Sequence, residues 1–86
     1  MFLRLTPGTV TAETDDGTIL LNQRSGGYWQ LNPTGAQALA GLLAGRAPDR
    51  IADDFSATYG ISAAQARTDL TALTEHLVAA GLVEAV

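Results

Sequence analysis

Gly27-Tyr28-Trp29-Gln30-Leu31-Asn32-Pro33-Thr34-Gly35-Ala36 is the stretch in which the chain changes texture. Tyr28 to Leu31 is an aromatic-rich, uncharged run that suits a strand. Asn32-Pro33 is a helix start, because an asparagine side chain can cap exposed N–H groups and proline fits the first helical position. Strands are therefore expected before this junction and helices after it.

Working upstream, Thr9-Val10-Thr11-Ala12-Glu13 and Thr18-Ile19-Leu20-Leu21-Asn22 flank Asp15-Asp16-Gly17. Asp-Gly between such runs predicts a hairpin whose glycine supplies the positive φ of a tight turn. A second turn cluster, from Asn22 to Gly27, contains Ser25-Gly26-Gly27 and leads into Tyr28–Leu31. The expectation is a meander of three antiparallel strands, preceded by a short extended piece at Phe2–Leu5. Alternation turns one of Tyr28 and Trp29 inward. The preferred reading has Trp29 and Leu31 facing the helices and Tyr28 and Gln30 facing out. Ile19-Leu20-Leu21, apolar throughout, leaves that choice open.

Downstream, every alanine except Ala12 lies beyond Asn32. Ala36, Leu39, Ala40, Leu42 and Leu43 keep helical spacing up to Gly45. Pro48-Asp49 opens a second helix carrying Ile51, Ala52, Phe55 and Tyr59 and closed by Gly60. Ser62 caps a third, in which Ala66, Leu70, Leu73 and Leu77 follow the 3.6-residue period as far as Gly81. Leu82-Val83 is expected to fold back as a last apolar plug. Gly60-Ile61-Ser62 joins the second and third helices with helix-turn-helix spacing. The fold class is α+β and winged helix-turn-helix-like: a three-stranded antiparallel sheet followed by three helices, one domain over residues 1–86. The third helix, with the longest apolar stripe, is expected to cover the sheet.

The chain has 86 residues, 47 % of them apolar, and a formal net charge of −4 from five arginines, no lysine and nine carboxylates. That balance argues against nucleic acid, whose binders carry a basic stripe. The first turn of the third helix, Ser62-Ala63-Ala64-Gln65, is a poor base reader, and Arg67 is offset by Asp69 and Glu75. No cysteine is present, which excludes disulfides and thiolate metal sites. No apolar run reaches membrane-spanning length, and Met1-Phe2-Leu3-Arg4-Leu5-Thr6-Pro7 has no signal-peptide pattern, so a cytoplasmic location without membrane contact is expected. His76 stands alone, and Ser25, Ser56 and Ser62 fit local turn and cap roles. Asp15-Asp16 and Asp53-Asp54 suit solvated positions, and Gly26-Gly27 lacks the lysine of a phosphate loop. These residues predict no enzyme, no metal and no cofactor.

The expected third strand is a sheet edge. Proteins blunt such edges with lysine, proline or inward charge. Gly27 to Leu31 has none of these, so either the chain itself covers the edge or a partner strand adds to it. Each backbone hydrogen bond nets only about 0.5–1.5 kcal/mol. Specificity for an added strand must therefore come from apolar pockets, which Leu70, Leu73 and Leu77 of the third helix can wall.

Tyr28-Trp29-Gln30-Leu31-Asn32-Pro33-Thr34-Gly35-Ala36 resembles the strand-to-helix junction of PqqD-like proteins, the recognition elements of ribosomally made, modified peptides (RiPPs). Ile19-Leu20-Leu21, Leu42-Leu43-Ala44-Gly45, Asp69-Leu70, Leu73, Leu77 and Gly81-Leu82 keep that family's order. The whole is most similar to the stand-alone leader-binding subunits of split lasso-peptide systems. The resemblance implies a winged-helix-like fold that binds the leader of a precursor peptide antiparallel to the third strand. Matched by position, the implied contacts are Gly27, Tyr28, Trp29, Gln30 and Leu31 on the strand, with Asp69, Leu70, Leu73, His76 and Leu77 on the helix. Leaders of this group often carry a tyrosine and a proline, which suit apolar pockets. The implied partners are a transglutaminase-like cysteine protease that removes the leader and an ATP-dependent cyclase. The alternatives are a PqqD-like peptide chaperone for a radical enzyme and a winged-helix DNA-binding regulator. Asn22 departs from the family's usual aspartate at a position expected in a turn.

Overall fold

In the computed structural model, which describes residues 3–86, the strands are β1 (Leu3–Leu5), β2 (Thr9–Thr14), β3 (Gly17–Asn22), β4 (Tyr28–Leu31) and β5 (Val83–Ala85). The helices between β4 and β5 are α1 (Pro33–Leu43), α2 (Pro48–Tyr59) and α3 (Ala63–Ala79). β2, β3 and β4 form the expected antiparallel meander, and β4 is its third strand. Three strands followed by three helices is the α+β arrangement read from the sequence.

Helix limits follow local chemistry. The Asn32 side chain accepts from the Gly35 N–H at 2.7 Å, and Ser62 Oγ accepts from the Gln65 N–H at 3.0 Å. Both caps satisfy donors that have no intrahelical partner. Gly60, at φ 69°, ends α2 in the left-handed conformation.

Two features differ from the sequence expectation. Gly17 is the first residue of β3, paired with Thr14, and the turn residues are Asp15 and Asp16. A Cβ on Gly17 would sit 1.8 Å from the Leu31 carbonyl oxygen, so close approach of β4 demands glycine as much as its φ of 137° does. Asn22 is not a turn residue either: it ends β3 and is buried. Its Oδ1 accepts from the N–H groups of Arg24 and Ser25 at 2.9 and 3.0 Å. Its Nδ2 reaches the Pro7 carbonyl and the Thr6 and Thr9 hydroxyls at 3.0–3.3 Å. One amide thus ties the β3–β4 turn to the segment before β2.

A second sheet escaped the sequence reading. β1 pairs antiparallel with β5 in the register Leu3↔Ala85, Arg4↔Glu84, Leu5↔Val83. Phe2, part of the extended piece expected at Phe2–Leu5, lies outside the described residues. Leu82 and Val83 are fully buried, as expected of an apolar plug.

The core joins Leu20, Leu31, Leu39, Leu42, Leu77 and Leu82 with further buried residues from both sheets and all three helices. α1, rather than α3, lies along β3 and β4; α3 packs against α2 and β5. The physical reason is that α1 follows β4 after the single residue Asn32 and buries Ala38, Leu39 and Leu42, while its Gly41 faces Ile51 of α2.

Candidate functional site

The β4 backbone defines the site. Opposite residues of β3 and β4 are Leu21↔Tyr28, Leu20↔Trp29, Ile19↔Gln30 and Thr18↔Leu31. In the same register, the Asn22 N–H donates to the Gly27 carbonyl at 2.8 Å. Antiparallel pairs alternate between bonded and non-bonded. Trp29 and Leu31 therefore direct their backbone groups at β3, while Tyr28 and Gln30 direct theirs away from the sheet. Among the described residues no strand pairs with that side of β4. The edge is open at two consecutive positions of the kind an added strand uses.

Side chains alternate in step. Leu31 is buried and Trp29 half-buried against the core, whereas Tyr28 and Gln30 are exposed. The preferred sequence reading of this strand therefore holds. Leu20 points inward and Leu21 outward, which resolves the apolar run that periodicity left ambiguous.

β4 and α3 meet at one end. A Cβ on Gly27 would lie 2.7 Å from the Ala80 carbonyl oxygen, so the start of β4 abuts the end of α3. One turn back, the His76 ring leans over Trp29 with centroids 5.5 Å apart. Beyond the other end of β4 lies a cavity of about 420 Å³ lined by Asn32 and Thr34, Phe55 and Tyr59, and Asp69 and Leu73. Cavities of roughly 300–1,000 Å³ suit small ligands or single large side chains. Phe55 and Tyr59 meet edge to face, centroids 5.7 Å apart, and form the aromatic side of this cavity.

The helix residues singled out from the sequence divide by burial. Asp69, exposed, and Leu73, half-buried, line the cavity, and the exposed His76 stands beside Trp29. Leu70 is buried yet lines the cavity, whereas Leu77 is fully buried in the core. Asp69 is held by the Gln65 side chain, whose Nε2 donates to Oδ1 at 2.9 Å. Phe55, Tyr59, Ile61 and Thr34 were missed as site residues, because helical periodicity assigns the α2 aromatics to the core and only tertiary packing brings the α1, α2 and α3 ends together.

The surroundings offer little bond-making chemistry. Among the described residues no group of His, Asp and Glu could hold a metal ion. Arg67 lies 3.6 Å from Asp49, so the cation on the outer face of α3 is locally neutralised. No helix of the described residues is long and apolar enough to cross a membrane.

The family described as coenzyme PQQ synthesis protein D (PqqD) matches residues 17–83, from the first residue of β3 into β5. The chain belongs to the PqqD family. Two solved structures resemble this PqqD-family protein along nearly its whole length. One is a lasso peptide synthetase B1 complexed with the leader peptide: 36 % identical, covering 99 % of this chain and 100 % of that one, with a TM-score of 0.92. The other is TbiB1 in complex with the TbiA(beta) leader peptide: 26 % identical, covering 96 % of each chain, with a TM-score of 0.83. No curated protein matches it by sequence. The PqqD-family assignment makes it a RiPP recognition element, a binding module rather than an enzyme.

Proposed function

We propose that this protein binds the leader segment of a ribosomally made precursor by strand addition to β4 and presents it to a separate leader peptidase in lasso-peptide maturation. The observation that carries the reading is the open edge at Tyr28 and Gln30, with an apolar cavity beyond the C-terminal end of that strand. Full-length similarity to a leader-bound lasso synthetase subunit supports it.

Two outward residues offer two N–H donors and two carbonyl acceptors. At about 0.5–1.5 kcal/mol each, these bonds roughly offset the 2–5 kcal/mol cost of ordering a flexible peptide. Net affinity then comes from side chains. An aromatic residue buries about 150–250 Å² and suits the cavity between Phe55, Tyr59 and Leu73. An antiparallel leader places its N-terminal portion at this cavity and its C-terminal portion at the closed Gly27 end. Gly27, Tyr28, Trp29, Gln30 and Leu31 form the pairing side; Asp69, Leu73 and His76 form the opposite wall, backed by Leu70 and Leu77.

No residue here has to make or break a bond. Holding the leader on a subunit that also docks the peptidase makes cleavage effectively intramolecular, with local concentrations of order mM for a short tether. An ATP-dependent cyclase then receives the freed core. The test is a titration with the labelled leader of the cognate precursor against a scrambled peptide of the same composition. Selective saturable binding of the leader is expected; equal or absent binding of both overturns the proposal.

A further inference from the structure

A second hollow, a groove of about 700 Å³, runs between α1 and α2. Gly41 and Ile51, both buried, lie under it, and Ala40 of α1 and Thr58 of α2, both exposed, stand on opposite walls. Phe55 and Tyr59 line this groove, and the same two rings line the cavity beyond the end of β4. One edge-to-face aromatic pair therefore serves both hollows, and Tyr59, 48 % exposed, is its solvent-facing half.

We propose that the α1–α2 groove holds the leader residues that precede the side chain seated in the cavity. The inference rests on the leader reading above. A leader antiparallel to β4 has its N-terminal portion at the cavity, so whatever comes before that portion lies past the pairing strand. The groove that shares Phe55 and Tyr59 with the cavity is the surface it meets next. From Gln37 to Ala44, both on the groove, α1 rises about 10 Å at 1.5 Å per residue. At about 3.3 Å per extended residue, that length takes about three leader residues.

The lining says which residues these are. Ala40 and Ala44 leave room for short side chains beside them, and the exposed Gln37 and Thr58 can exchange hydrogen bonds with a peptide backbone. Arg46 and Asp54 also line the groove, but they pair with each other and offer no free charge. Short apolar or hydroxyl side chains suit it, and a charged ligand does not. A second copy of this chain is disfavoured by size. About 10 Å of groove between helices roughly 10 Å apart presents on the order of 100 Å², far below the roughly 800 Å² per partner of a stable association. A few residues of a peptide already held at β4 need no such area of their own.

The test titrates labelled cognate leader, whole and shortened one residue at a time from its N-terminus, against wild type, Ala40→Gln and Thr58→Gln. Both substitutions put a longer neutral side chain on an exposed helix position, and thermal melting checks that each variant folds. With wild type, loss of the residues ahead of the cavity side chain is expected to weaken binding about tenfold. At least one variant should bind whole leader about five- to tenfold more weakly than wild type, yet bind the shortened leader within about twofold of it. A shortened leader that binds wild type as tightly as the whole one overturns this inference alone. So does whole-leader affinity unchanged in both folded variants, or a loss that is equal for whole and shortened leaders. A concentration-dependent wild-type dimer that either variant dissolves, with leader binding untouched, overturns it by giving the groove to a second copy. Failure of wild type to bind any of these peptides overturns the leader reading and this inference together.

Discussion

Gln30→Pro isolates the backbone edge from every other part of the groove. The Gln30 N–H points away from β3, so its removal leaves the Leu20–Trp29 and Thr18–Leu31 pairs intact. Proline is tolerated at such edge positions, and the residue before it, Trp29, already has the extended backbone that proline prefers. The leader loses one hydrogen bond and keeps an acceptor without a donor. Losing the bond costs about 1 kcal/mol and the stranded carbonyl about 1–2 kcal/mol more, a drop in affinity of roughly 30- to 150-fold. Gln30→Ala, which keeps the N–H and removes an exposed side chain, should change affinity by no more than about threefold. Fluorescence anisotropy of labelled leader, with a thermal melt of each variant, makes the measurement. A folded Gln30→Pro protein with wild-type affinity refutes the placement of the pairing strand. Equal losses in both variants refute the claim that the backbone, rather than the side chain, is read.

Other outcomes follow from packing. Leu77→Ala removes a fully buried side chain and should cost about 2–5 kcal/mol in urea unfolding, a large share of a small domain's stability. Gly27→Ala forces a methyl against the Ala80 carbonyl. It should lower stability by about 1–3 kcal/mol and weaken leader binding, both read by melting and anisotropy. Asn22→Asp retains the acceptor for Arg24 and Ser25 but sets a carboxylate against the Pro7 carbonyl. Its unfolding free energy should fall by about 1–3 kcal/mol while leader affinity in the folded protein is preserved.

What the sequence makes legible is local. Asn32-Pro33, Gly60 and Ser62 announce helix limits because caps act over three or four residues, and the structure has them there. The β4 edge is legible for a similar reason, since Tyr28 to Leu31 lacks any protecting charge. Features that depend on distant partners are not. Val83-Glu84-Ala85 becomes a strand only by meeting Leu3-Arg4-Leu5 from the other end of the chain, and three residues carry no periodicity to reveal it. Asn22 reads as a turn residue until Thr6, Pro7 and Thr9 surround its amide. Helical spacing selects Phe55 and Tyr59 as core, yet the ends of three helices meet around a cavity that both residues line. Ile19-Leu20-Leu21 defeats alternation because the outward Leu21 is as apolar as the inward Leu20, and only burial tells them apart.

The pairing of β1 with β5 brings residues near the two ends of the described chain side by side, Leu3 against Ala85. Backbones so paired are about 5 Å apart, which a connector of a few residues bridges. A host protein could therefore receive the whole unit in one surface loop, entering and leaving at a single seam, and gain a peptide-holding cassette without any rearrangement of its own core.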